Sequence, residues 1–202
     1  MKAQTKWLLL LVLLIVVLVG GGMVYQQLRA NYQVDNLQTA TPNEEDPSSE
    51  EKMAIPNFEL QDWEGNPVEF SSFLGKPVII NFWASWCPYC VDEMPYFETV
   101  YQEFGEEIQF LMIDSVDGSR ETIQKGKDFL AKYEYTFPVY FDTQYVAGQI
   151  FGLQGLPATF LIDEDGYFVA WVNGMTDEET LRLGIEMLLK QKRCSPHQGA
   201  SF

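Results

Sequence analysis

Cys87 and Cys90 are separated by Pro88 and Tyr89, and this Cys-x-x-Cys spacing permits two kinds of chemistry. One is thiol–disulfide exchange, in which a thiolate attacks a disulfide sulfur and a second thiol resolves the mixed disulfide. The other is metal binding: Cys87-x-x-Cys90 together with Cys194-x-x-His197 has the ligand identities and spacing of a zinc site. The surroundings favour exchange. The first pair follows Val78-Ile79-Ile80-Asn81-Phe82-Trp83-Ala84, a run that reads as a buried strand, whereas Cys194 and His197 lie in a polar tail. A helix starting just after Cys87 would put that sulfur near the N-cap, where unpaired N–H groups and the positive end of the helix dipole favour negative charge. Pro88 then falls at N1, the helical position proline tolerates best. Cys90 lies one turn in and is less accessible, so Cys87 attacks and Cys90 resolves. No metal and no cofactor beyond this redox-active pair is expected. Cys194 is a third thiol, open to intermolecular pairing.

The elements that must hold this pair read as an alternating α/β pattern. Residues 58–61 and 68–70 are short strands around the turn Glu64-Gly65-Asn66-Pro67. Residues 78–84 form a central strand, and residues 88–105 a helix with Pro95 as a point of kinking. A second apolar strand covers 108–114. Helical spacing covers 120–133, a short strand 139–141 and a short helix 146–151. Residues 159–162 and 167–172 flank Asp163-Glu164-Asp165-Gly166, a hairpin signal. A last amphipathic helix spans 177–190, with Thr176 and Glu179 at capping-box spacing. The pattern predicts a three-layer α/β/α sandwich with a mixed central sheet and an N-terminal β-hairpin.

The ends of the chain bear on location. Residues 7–25, from Trp7 to Tyr25, hold no charge, and nineteen residues of helix reach roughly 28 Å, close to the hydrocarbon thickness of a bilayer. A cleaved signal with residues 8–19 as its apolar core is the alternative, but no A-x-A-type cleavage site follows. Residues 1–29 therefore read as a retained signal-anchor. Lys2 and Lys6 precede the span, which predicts a cytoplasmic N-terminus and an extracytoplasmic domain. Residues 30–54 read as an acidic, disordered linker, residues 55–190 as the folded domain, and residues 191–202 as a polar tail. The 202-residue chain carries a net charge of −16, which disfavours nucleic-acid binding. Outside residues 1–29 the balance is 10 basic against 29 acidic side chains, a solvated acidic surface.

The stretch Phe82-Trp83-Ala84-Ser85-Trp86-Cys87-Pro88-Tyr89-Cys90-Val91-Asp92-Glu93-Met94-Pro95 resembles the TlpA/ResA-like branch of the thioredoxin superfamily, membrane-anchored extracytoplasmic thiol–disulfide oxidoreductases. The Trp-Cys-x-x-Cys-x-x-Glu-x-Pro spacing is its specific part. Downstream, Gly155-Leu156-Pro157-Ala158-Thr159-Phe160-Leu161-Ile162-Asp163 is similar to the family's cis-proline strand. The resemblance covers residues 55–190 and implies a thioredoxin-like fold. It implies that Pro157 is a cis-proline facing the dithiol, leaving the Leu156 backbone free to pair with an extended substrate segment. It implies that Glu93 moves a proton to or from Cys90, with which it shares a helix face. Asn81 stands where thioredoxins proper carry a buried acid; an amide cannot do that proton work, which leaves it to Glu93. Trp86 shields and packs beside the dithiol. Pro88-Tyr89 is the dipeptide familiar from glutaredoxins, and these residues tune thiolate stability and hence the direction of electron flow.

The leading expectation is a reductase of disulfides in exported proteins, apocytochrome c among them, fed by a membrane thiol carrier. An oxidase or isomerase would use the same residues. A tethered chaperone or binding module with a structural disulfide belongs to a different class. A peroxidase is disfavoured, because the Pro-x-x-x-Thr/Ser-x-x-Cys pattern of peroxiredoxins would need proline and a hydroxyl where Ile80 and Ala84 stand.

Overall fold

The structure, a computed structural model, describes residues 52–194, the short strand Leu37–Thr39, and Gly20 and Gly22. The chain divides into two compact units, Met1–Asn36 and Leu37–Phe202. In the first, Gly20 and Gly22 are helical. The rest of the span expected over residues 7–25 lies outside the described residues, and no described helix is long and apolar enough to cross a membrane.

The second unit is built on β4 (Val78–Trp83), buried at all six positions. Its β-branched and aromatic side chains suit a central strand covered on both faces. β5 (Gln109–Asp114) runs parallel to it, and β6 (Val139–Phe141) parallel to β5. On the other side β7 (Ala158–Ile162) is antiparallel to β4, followed by antiparallel β8 (Phe168–Asn173). The hairpin β2 (Glu59–Gln61) and β3 (Pro67–Glu69) extends the sheet beyond β6. With β1 (Leu37–Thr39) on β8, the order is β1-β8-β7-β4-β5-β6-β2-β3.

Alternation along the strands divides the core. Ile79, Trp83, Phe110 and Met112 face one apolar cluster shared by α1 (Pro88–Phe104), α2 (Ile123–Leu130) and α4 (Glu178–Cys194). Val78, Ile80, Phe82, Leu111 and Ile113 face the other, closed by Phe58, Phe70 and Phe73 from the N-terminal segment and by Ala147 of α3 (Val146–Ile150). This is the mixed-sheet, three-layer thioredoxin-like fold expected from the sequence.

Several details differ. The linker assigned to residues 30–54 contributes β1, because an edge strand needs main-chain pairing and no apolar alternation. α2 is shorter than residues 120–133: Asp117 Oδ1 accepts the N–H groups of Ser119 and Glu121, folding that stretch into a turn. Thr122 Oγ1 then caps the helix by accepting the Lys125 N–H. At the last helix, Thr176 is not the cap. Asp177 Oδ1 accepts the Thr180 N–H, and the Asp177 carbonyl accepts the first helical bond, from Leu181. α4 also runs four residues past Lys190, to Cys194. α1 continues through Pro95 without ending there.

Candidate active site

β4 delivers the chain to Ala84-Ser85-Trp86 and then to Cys87, the N-cap of α1. The Cys87 N–H donates to Ala84 O at 3.1 Å, and Cys87 Sγ accepts the Cys90 N–H at 3.2 Å. Cys87 thus takes the place a Ser or Asp cap oxygen normally fills, with one of the orphan N–H groups of a 17-residue helix pointing at its sulfur. Pro88 occupies N1. The two sulfurs form a disulfide. Cys87 keeps 3% of its surface and Cys90 none, so exchange with another molecule reaches Cys87.

Glu93 lies one turn beyond Cys90 and is fully buried. Its Oε1 accepts from Asn81 Nδ2 at 2.7 Å and its Oε2 from the Thr176 N–H at 2.8 Å. Asn81 Nδ2 also donates to Thr159 Oγ1 at 3.1 Å. These bonds favour the charged carboxylate, yet burial outweighs them and pushes the Glu93 carboxyl up to about 8. No described Lys or Arg pairs with it. A group titrating there can give or take a proton at neutral pH.

The Leu156–Pro157 peptide is cis, as the family resemblance implied. Pairing of Phe82 with Ala158 sets this turn beside the end of β4 that leads to Cys87. Pro157 is buried and its carbonyl accepts the Gly174 N–H; Leu156 is half-buried and packs against both core clusters. No main-chain hydrogen bond engages Leu156 among the described residues. Beside the disulfide, Trp86 and Tyr89 are exposed, at 38% and 62%. The Arg120 guanidinium lies over the Trp86 ring, 3.4 Å from its centre.

The structure therefore brings together Asn81, Cys90 and Glu93 in the interior, with Trp86 and Tyr89 at the surface and the nearly buried Cys87 next to Trp86 in the chain. It adds residues that carried no signal as site residues in the sequence. Thr159 and Thr176 complete the Glu93 network. Glu121, fully buried, accepts the Ser85 N–H at 2.9 Å and the Ser85 hydroxyl at 2.7 Å. Beside it, buried Asp114 is pushed up to about 8, chiefly by burial and then by the charges of Glu121 and Asp117. Cys194 ends α4, while His197 lies outside the described residues; no described group of three or more His, Cys, Asp or Glu is arranged to hold a metal.

Residues 52–170 match the AhpC/TSA family. The thiol-disulfide oxidoreductase ResA of Bacillus cereus is 37% identical over 139 residues, covering 66% of this chain and 78% of that one. ResA of Bacillus subtilis is 33% identical over 134 residues, 66% and 73% of the two chains. Among solved structures, a secreted Mycobacterium tuberculosis disulfide oxidoreductase homologous to Escherichia coli DsbE aligns with a TM-score of 0.57 at 25% identity, covering 65% of this chain and 96% of that one. The family match contains both cysteines, Glu93 and the Leu156–Pro157 turn, so likeness and geometry fall on the same residues: the chain belongs to the AhpC/TSA family and is a ResA-like thiol–disulfide oxidoreductase.

Proposed function

We propose that the protein is an extracytoplasmic reductase, anchored through residues 7–25, that passes electrons from a membrane thiol carrier to disulfides of exported proteins, apocytochrome c among them. The Cys87 thiolate attacks one substrate sulfur, and the other leaves as a thiolate that takes a proton from solvent. Cys90 then gives its proton to Glu93 and attacks Cys87 Sγ. The second substrate sulfur is expelled and the Cys87–Cys90 disulfide closes, so two electrons have moved to the substrate. Exchange with the donor dithiol reverses these steps. Leu156 offers its main chain to an extended substrate segment, with Pro157 setting the turn and Trp86 flanking it. Pro88 and Tyr89 tune the thiolate.

The buried Glu93, with no described cationic partner, carries the direction. Placing a thiolate near a second acid in a dry site is unfavourable. That favours the disulfide over the dithiol and makes the protein an electron donor, whereas strong oxidants of this chemistry stabilise their reduced form. Location is supported by Lys2 and Lys6 ahead of the apolar span and by the secreted state of the similar Mycobacterium tuberculosis protein.

The test is to trap substrates on Cys90→Ser in cells and to titrate the wild-type dithiol against a redox buffer. The expected result is adducts that vanish in the Cys87→Ser/Cys90→Ser double variant, with a midpoint below the poise of the exported compartment. A midpoint well above that poise would make the protein an oxidase.

A further inference from the structure

The loop that leads into Cys87 is gripped by residues far from it in sequence. β4 and β5 end side by side, with Trp83 opposite Asp114 and the Ser115 N–H donating to Trp83 O. The chain after β5 then folds back over the chain after β4. Glu121 Oε2 takes both the N–H and the O–H of Ser85, and Arg120 stacks on Trp86. Neighbouring residues of one loop thus hold the two residues that precede Cys87. Lys125 of α2 secures this loop from outside by donating to the carbonyls of Ser119 and Arg120 at 2.8 and 2.9 Å. Asp117 secures it from within.

The interior beside the grip is unusual. Of seven buried side-chain polar atoms without a hydrogen-bond partner among the described residues, five belong to residues that meet here: Trp83 Nε1, both Asp114 carboxyl oxygens, Ser115 Oγ and Glu121 Oε1. Serine hydrogen bonds alone would be satisfied by a neutral glutamine; a carboxylate also brings an acidic group to the residue two positions before Cys87.

We propose that Glu121 is a positioning residue of the dithiol: its carboxylate fixes the Ser85–Trp86 approach to Cys87 and sets the charge that the Cys87 sulfur feels. The charged groups around Glu121 are Asp114 on β5, Asp117 and Arg120 on its own loop, and Lys125 on α2. The two acids Glu93 and Glu121 then act on the dithiol from different sides, Glu93 through the Cys90 proton and Glu121 through the Cys87 approach. This rests on Cys87 as the attacking sulfur.

Two full-length variants separate charge from grip. Glu121→Gln keeps an acceptor for Ser85 and removes the charge. The rate of Cys87 alkylation by iodoacetamide, followed against pH by peptide mass spectrometry, should show the Cys87 thiolate pKa falling by about half a unit. The dithiol–glutathione equilibrium should shift at least threefold toward the dithiol, about 14 mV at 29.6 mV per tenfold. Ser85→Ala keeps the charge and loosens the grip, so kcat/KM for insulin reduction should fall at least threefold with the Cys87 pKa unchanged. Wild-type values for Glu121→Gln in both titrations overturn the charge role, and unchanged kcat/KM in Ser85→Ala overturns the grip. A wild-type protein that forms no Cys87 adducts would instead defeat the underlying assignment of Cys87.

Discussion

Glu93 and Asp114 are both fully buried carboxyls near the dithiol end of β4, and both are pushed up to about 8, but by different means. Glu93 has a hydrogen-bond donor for each oxygen, from two different elements. Asp114 has none among the described residues, and like charges from Glu121 and Asp117 add to its burial. The same direction of shift therefore marks two different situations. A carboxyl held from both sides keeps its place whether or not it carries a proton, as a group that exchanges protons during turnover must. A carboxyl with no donors is comfortable only while protonated, and its ionisation acts on the stability of the fold.

Glu93→Gln should separate the two most strongly. It removes the exchangeable proton while nearly preserving shape, so kcat/KM for protein disulfides should fall roughly 100-fold. The inflection of the rate near pH 8 should vanish with it. An unchanged pH–rate profile would place Glu93 with Asp114 as a purely structural acid.

Asp114→Asn should act on stability instead. A carboxyl raised in the fold is protonated there and ionised in the unfolded chain between its two pKa values. Unfolding in that window releases a proton, so stability falls as pH rises from about 4 toward about 8. Asp114→Asn should flatten this slope by on the order of 2 kcal/mol between pH 5 and 8 in denaturant titrations of the oxidised protein. Its pH–rate profile should keep the wild-type inflection.

The smallest effect tests how tightly Asp114 is enclosed. Gly126 of α2 lacks a Cβ where one would run into Asp114 Oδ2. Gly126→Ala should lower stability by about 1 kcal/mol, overpacking outweighing the better helix propensity of alanine. In an Asp114→Ala background the same substitution should become neutral or stabilising, which a double-mutant cycle reads directly.

What was legible in the sequence follows the distance over which each feature is specified. The buried strand before Cys87, proline at N1 and the Asp163-Glu164-Asp165-Gly166 turn are local signals, and the structure has them all. Glu93 and Pro157 were readable because the contiguous stretches that hold them resemble a family's motif and strand. The rest of the site is made by contacts between residues distant in the sequence. Thr176 meets Glu93 across 83 positions, and Glu121 meets Ser85 across 36. Asp114 passed as the polar end of an apolar strand. Thr176 and Asp177 stand next to each other as possible caps, and only the packing against Glu93 decides which of them caps the helix.

β1 has a consequence for life in a crowded compartment. An open sheet edge is a template on which other chains, copies of the same protein included, can assemble. Here both margins of the eight-stranded sheet are only three residues long. One begins with Pro67, which has no N–H to offer a newcomer, and the other is laid over β8 by the acidic segment itself. The stretch that reads as a mere spacer thereby occupies the edge of six-residue β8 that strand addition would otherwise use.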